Sequence, residues 1–269
     1  MKADNFLIAG SDKKMIECKN RLKNLGYEAV CFEGEAFWEN FDCYNNIILP
    51  LPSISNGTVT GTGGKPLSYL KSLLRAEQRV FYGNIENITS NDFGYSYYYD
   101  ESFLVKNSRL TAQGVLKIIL ENTEKDMFLL KAAVIGYGRC GKAICKMLNN
   151  NGFDVTSFSR NNKSKAFAEN DGCNIKDISQ IDLLISSFDV IINTVPHNII
   201  SEKGIETLST DNLYIEVASK PYGFDISKSD IFNFKYVLGS SLPGKYTPVS
   251  AGVNIADTVI EILKEGKYG

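Results

Sequence analysis

Histidine and tryptophan are almost missing from this chain, which has one of each in 269 residues, His197 and Trp38. One imidazole leaves little to build a metal centre from. The six cysteines (Cys18, Cys31, Cys43, Cys140, Cys145 and Cys173) include no CxxC pair to make up the shortage. The reading is a reduced, metal-free protein. No apolar run approaches the roughly 18 residues a membrane span needs, and the opening "MKADNFLIAGSD" has too short an apolar stretch for a signal peptide. A cytoplasmic location is therefore expected, with no membrane partner. A surplus of either charge is also lacking: 29 Lys and Arg face 31 Asp and Glu, for a net charge of -2. That balance argues against a nucleic-acid partner or a polybasic membrane patch and points to a small molecule or another protein.

What is present is 43% apolar residues and 22% evenly mixed charge, enough to bury two modest cores. Strand-like runs "NFLIAG", "EAVCF", "NNIILPLP" and "RVFYG" alternate with helical patterns at Met15 to Leu25 and Leu67 to Leu74. This predicts an α/β fold with an open parallel sheet over residues 1–126. The stretch "LPLPSISNGTVTGTGGKPLS" interrupts it with turn residues, and Asn56-Gly57 suits a hairpin tip. Next, "NSRLTAQGVLKIILENTEKD" reads as an amphipathic helix carrying Leu110, Val115, Ile118 and Ile119, with a polar linker at its end. From Met127 the alternation restarts in "KAAVIG", "FDVTSF", "GCNIK", "FDVIINTVP", "NLYIEVAS" and "FKYVLGSSLPG", a second parallel sheet over 127–247. A last helix, 248–269, is apolar at Val249, Val253, Ile255, Ile260 and Leu263 and is expected to pack back on the first domain.

Gly136-x-Gly138-x-x-Gly141 follows the strand 132–135 and opens the helical "RCGKAICKMLNN", the context of a Rossmann dinucleotide fingerprint. The glycines allow a tight turn, backbone approach to a pyrophosphate and close helix-to-strand packing, and Arg139 and Cys140 sit between them. The next strand ends "TSFSRNN", where an acid would hold a ribose 2′-hydroxyl. Ser159, Arg160, Asn161 and Lys163 stand there instead, which favours a 2′-phosphate and hence NADP. Asn193, Thr194, Val195 and Pro196, with Ala218 and Ser219 one strand further on, are expected to border the nicotinamide ribose. His197, Glu216 and Lys220 at the same edge are candidates for acid, base or anion chemistry, or alternatively are ordinary loop and cap residues.

The series "VIGYGRCGKAI", "INTVP", "IEVASKPYGFD", "SLPGKYTPVSAG", "ILPLP" and "TAQGVLKIIL" resembles the A subunit of dipicolinate synthase of endospore-forming bacteria over nearly the whole chain. The "LPGxxxPxxAG" segment is more specific than the fingerprint. Gln113 and Glu216 depart from the family pattern, which has an acid and Asp at those places. The resemblance implies NADP-dependent oxidation of dihydrodipicolinate, or of its hydrated precursor, in the mother cell of a sporulating bacterium. It also implies a partner, the flavoprotein-like B subunit, while self-association is expected. A planar dicarboxylate needs two anion sites. Arg109, Lys220 and Lys245 are read as strand-end or loop cations facing an interdomain cleft. Thr111, Pro243, Gly244 and the backbone amides of 239–244 stand near one carboxylate, and Ser53, Ser55, Asn56, Thr58 and Thr60 near the other. Two further readings stay open. One is a 2-hydroxyacid-type or shikimate-type dehydrogenase; the other is a non-catalytic NADP(H)-binding sensor.

Overall fold

A computed structural model describes residues 4–85, 93–226 and 233–266. In chain order the elements are β1 (Asn5–Ala9), α1 (Lys13–Asn24), β2 (Glu28–Phe32), α2 (Glu35–Glu39), β3 (Asn46–Ile48), β4 (Ile54–Ser55), β5 (Thr58–Val59), α3 (Leu67–Leu73), β6 (Arg79–Tyr82) and β7 (Tyr95–Ser96). Then come α4 (Glu101–Asn122), β8 (Lys131–Ile135), α5 (Arg139–Asn150), β9 (Asp154–Ser159), α6 (Asn162–Asn170), β10 (Asn174–Asp177) and α7 (Ile181–Leu184). The chain finishes with β11 (Val190–Asn193), α8 (Glu202–Glu206), β12 (Leu213–Glu216), β13 (Lys235–Leu238), α9 (Leu242–Tyr246) and α10 (Pro248–Lys264).

The chain forms two compact units, 1–107 with 247–269 and 108–246. The division falls inside α4, upstream of the 126/127 boundary read from the polar linker. That linker ends the helix but not the compact unit, because Val115, Ile118 and Ile119 belong to the core of the second unit. Helix α4 also begins six residues before the apolar period drew attention to it. Asp100 starts it by accepting a hydrogen bond from the Phe103 N–H at 2.8 Å.

Unit 1 is a parallel sheet in the order β2-β1-β3-β6-β7. Strand β1 is apolar without alternation because helices cover both faces. Helix α1 is capped by Asp12, whose carboxylate accepts from the Met15 N–H at 3.0 Å. It buries Met15, Cys18 and Leu22 with Phe6, Ile8 and, from α10, Ile255, Val259 and Ile260. Asn56, in the left-handed region at φ 50°, and Gly57 form the tip of the β4–β5 hairpin.

Unit 2 is a six-stranded parallel sheet in the order β10-β9-β8-β11-β12-β13. This is the doubly wound order 3-2-1-4-5-6, whose switch point lies between β8 and β11. The segment read as a strand running into loop, "FKYVLGSSLPG", ends its strand at Leu238 and winds Leu242–Tyr246 into one turn of helix. Arg109 and Lys245, read as strand-end or loop cations, therefore both stand on helices. Among the described residues no helix is long and apolar enough to cross a membrane.

Candidate functional site

The turn between β8 and α5 is held by backbone geometry. Gly136 sits at φ +97°, and a Cβ there would meet Thr194 Oγ1 at 2.6 Å and Val195 Cγ2 at 2.8 Å. A Cβ on Gly141 would collide with the Gly136 carbonyl oxygen. Both positions admit only glycine. Gly138 differs: among the described residues, its chain neighbours aside, nothing lies within 4 Å of where its Cβ would be. It is the N-cap of α5 and offers no side-chain acceptor to the helix N–H groups, and the first turn contains no acid. Open space in front of N–H groups that no side chain caps suits a pyrophosphate. These residues fit the dinucleotide the fingerprint implies.

Beside this turn, β9 ends at Ser159, which is buried, while Arg160, Asn161 and Lys163 are exposed. Asn161 caps α6, accepting from the Lys163 N–H at 2.8 Å, and its own N–H points to Ser159 Oγ at 3.4 Å. The cationic ends of Arg160 and Lys163 are left on the surface at the end of the second strand of the fold. Arg139 is exposed, and the half-buried Cys140 contacts Ser108 Oγ at 3.8 Å, with burial pushing its thiol pKa up.

The other wall of the switch point is a buried network. Thr194 donates its hydroxyl to the Ile135 carbonyl at 2.7 Å, tying the end of β11 to β8. Asn193 donates to Glu216 Oε1 at 2.8 Å and to the Val195 carbonyl at 2.9 Å, and accepts from the Val195 N–H at 3.0 Å. Glu216 also accepts from the Ala218 N–H at 3.0 Å and the Gly223 N–H at 2.9 Å. One carboxylate thus fastens the loops after β11 and β12 together. Burial raises its pKa, while the donors on both oxygens work the other way. Gly223 is required here, since a Cβ would press on Tyr214 Oη at 2.5 Å and Asn193 Nδ2 at 2.7 Å. The loop "KPYGFD" showed this glycine in the sequence, but nothing there signalled what it packs against.

Pro196, His197, Ser219 and Lys220 are exposed on these two loops, whereas Glu216 is fully buried, so the three catalytic candidates do not share one environment. A cavity of about 380 Å³ lined by Ile200, Ile205, Leu208, Phe224 and Phe234 includes none of the fingerprint glycines. Arg109 is exposed and Thr111 buried on α4. Pro243 and Gly244 are in α9, and the Lys245 ammonium lies 4.9 Å from the Tyr246 ring centre. The segments "TAQG" and "LPG" meet directly, because a Cβ on Gly114 would be 2.8 Å from Leu242 Cβ.

In unit 1, Ser53 is fully buried and spent internally. It donates to the Pro50 carbonyl at 2.6 Å and accepts from the Gly83 N–H at 2.7 Å. Ser55 and Asn56 are exposed at the hairpin, and Thr58 donates to the Ser55 carbonyl at 3.0 Å.

Residues 128–237 match the family described as acetohydroxy acid isomeroreductase, NADPH-binding domain. The dipicolinate synthase A subunit of Bacillus subtilis (strain 168) is 24% identical over 165 residues, 61% of this chain. The matched stretch spans 56% of that relative's length. The crystal structure of the dipicolinate synthase A subunit from Bacillus halodurans superposes with a TM-score of 0.84 at 20% identity, covering 97% of both chains. A D-isomer specific 2-hydroxyacid dehydrogenase from Lactobacillus delbrueckii ssp. bulgaricus, in its NAD complex, reaches a TM-score of 0.58 at 12% identity, covering 99% of this chain and 98% of that one. These structural likenesses show the fold, and the family match places a domain of NADPH-binding type at residues 128–237.

Proposed function

We propose that this chain is an A-type subunit of a dipicolinate synthase, an NADP-dependent dehydrogenase that oxidises dihydrodipicolinate, formed from 4-hydroxy-tetrahydrodipicolinate, to dipicolinate. The sequence likeness to the B. subtilis protein carries the reading. The Ser159-Arg160-Asn161 end of β9, without an acid, supports NADP over NAD. The same reading brings self-association, work in the mother cell of a sporulating bacterium and, for a partner, a flavoprotein-like B subunit.

When bound, NADP takes up the hydride at nicotinamide C4. The N–H groups of α5 would hold its pyrophosphate, and Arg160 and Lys163, with Ser159 behind them, would meet the 2′-phosphate. Asn193 to Pro196 and Ala218 to Ser219 border the nicotinamide end. Glu216, buried and occupied by three donors, positions those loops. As the hydride leaves a ring carbon of the substrate, a proton is lost and the ring becomes an aromatic pyridine. Aromatisation supplies driving force, so orientation of the two rings matters more than a strong base. His197 and Lys220 are the exposed groups available at this edge to take the proton or to meet a carboxylate. As substrate-binding residues we assign, within unit 2, Arg109, Thr111, Pro243, Gly244 and Lys245 and, within unit 1 taken by itself, the hairpin residues Ser55, Asn56 and Thr58. Ser53 shapes that hairpin from inside.

The test is reduction of NADP, with NAD in parallel, on adding freshly generated 4-hydroxy-tetrahydrodipicolinate, while the ultraviolet spectrum is followed for the pyridine diacid. Formation of product with NADP is the expected result. NADPH binding without turnover, persisting when a B-type subunit is supplied, would turn the assignment to a non-catalytic sensor. Turnover of 2-hydroxyacids alone would turn it to the second dehydrogenase class.

A further inference from the structure

We infer that unit 1 carries a carboxylate site of its own, built on Lys14 at the point where the connections of its sheet change direction, and that Lys14 binds one carboxylate of the ring diacid. The identity of the ligand rests on the function proposed above; the site itself does not.

Strands β1 and β3 are parallel neighbours. The chain leaving β1 enters α1, whose Met15, Cys18 and Leu22 pack with Phe6 and Ile8 on one face of the sheet. The chain leaving β3 runs on to α3, whose Leu70 packs with Leu7, Ala9 and Ile47 on the opposite face. Adjacent strands whose connections diverge open a crevice beyond their C-terminal ends, which is where open α/β sheets take ligands. Lys14 stands in the first turn of α1, and its ammonium donates at 3.0 Å to the Leu51 carbonyl, in the segment that follows β3. The side chain therefore reaches from one connection to the other.

An ammonium has three donors. Among the described residues that one bond is the only hydrogen bond Lys14 makes, and it forms no ion pair. Its near acid, Asp12, is occupied in capping α1. Burial lowers the Lys14 pKa while the nearby Asp12 pulls the other way, so its charge is held without full hydration and with no carboxylate in direct contact among the described residues. A second polar group in the same loops is also unspent. Thr60 Oγ1 is buried and has no hydrogen-bond partner among the described residues. The Thr60 N–H is bonded to the Ser53 carbonyl at 2.9 Å, and the next residue abuts the end of β1, a Cβ on Gly61 lying 2.9 Å from the Gly10 nitrogen. The neighbouring hydroxyls are already used, Ser53 as described and Ser11 by Glu33 at 2.5 Å. A carboxylate is the group that a half-buried cation and an idle hydroxyl select. In the sequence, Lys14 is one of three ordinary lysines in "SDKKMIECKN".

The experiment is calorimetric titration of the full chain with pyridine-2,6-dicarboxylate and, separately, malonate, for the wild type, Lys14→Gln, Lys14→Met and, as an equal-charge control, Lys13→Gln. Thermal denaturation and NADPH affinity of each variant are recorded alongside. The expected result is wild-type binding of the pyridine diacid that weakens by about ten-fold or more in both Lys14 variants, as loss of a bond to a charged group implies. Lys13→Gln and all NADPH affinities stay unchanged. Lys14-dependent binding of malonate without binding of the pyridine diacid would keep the site and overturn the ring-diacid ligand. Binding of neither acid, or binding equal in wild type and in a folded Lys14 variant, would overturn the site.

Discussion

The three fingerprint glycines are not interchangeable, and the difference separates binding from folding. At Gly138 an added methyl meets, among the described residues and its chain neighbours aside, no atom within 4 Å, and the backbone is in an ordinary region at φ -82°. Gly138→Ala should therefore leave thermal stability unchanged while filling the space proposed for the pyrophosphate. We expect NADPH affinity to fall by about ten-fold or more, roughly one lost charge-assisted hydrogen bond, in a fluorescence titration. At Gly141 the same methyl would run into the Gly136 carbonyl. Gly141→Ala should lower both the melting temperature and the affinity, since the turn itself must shift. A Gly138→Ala chain that binds NADPH normally would show that the phosphate lies elsewhere. Arg160 offers the complementary contrast, being exposed and placed at the end of β9. Arg160→Ala should weaken NADPH several-fold and leave NADH nearly unaltered; equal losses for both would remove the argument from the 2′-phosphate.

At the scale of elements, helix packing is closest where α10 crosses α1. A Cβ on Gly252 would collide with the Lys14 carbonyl and lie 2.7 Å from the Cys18 nitrogen, so the two helices meet backbone to backbone. Gly252→Ala should destabilise unit 1 by about 1–3 kcal/mol, the usual penalty for overpacking, read as an earlier thermal transition with NADPH binding retained. An unchanged transition would mean that the helices separate freely at this crossing. This contact also explains a motif. The final Gly of "LPGxxxPxxAG" is small because a helix backbone lies against it, a fact that no periodicity in one segment can reveal. All strands of the second sheet, four of the first sheet's five and the β8–turn–α5 fingerprint were legible because β–α alternation and glycine spacing are local properties, whereas the two-residue β7 is too short to show a pattern. The start of α4 depends on an Asp100 cap seven residues before the helix could be read from its apolar period. Helix α9 has a single turn and no period at all. Val249, read as part of an apolar face, is exposed, whereas Ile255 and Ile260 of that face are buried alongside the small residues Ala251, Gly252 and Ala256. The Glu216 network was illegible for a similar reason: its partners Asn193 and Gly223 come from two loops whose meeting is set by sheet order.

On the scale of the whole molecule, the units differ in how the chain builds them. Unit 2 is one continuous stretch, 108–246, with its own two apolar clusters. Unit 1 is made of two stretches, and its cluster of Phe6, Ile8 and Met15 is completed by Ile255, Ala256, Val259, Ile260 and Ile262 from α10. Removing a single buried Ile or Leu down to Ala costs about 2–5 kcal/mol. Deleting the whole helix removes several such side chains at once, against a typical domain stability of about 5–15 kcal/mol. A chain ended at Tyr246 should therefore lose unit 1 and keep unit 2. Limited proteolysis of that shortened chain is expected to leave a resistant fragment beginning near Ser108 that still binds NADPH. The full-length chain should resist cleavage in both units. If residues 1–107 stay resistant without α10, unit 1 is stabilised by something other than that helix. If the 108–246 fragment is digested as fast as the rest, its two clusters are too small to hold the dinucleotide unit alone, and nucleotide binding by this protein depends on both units.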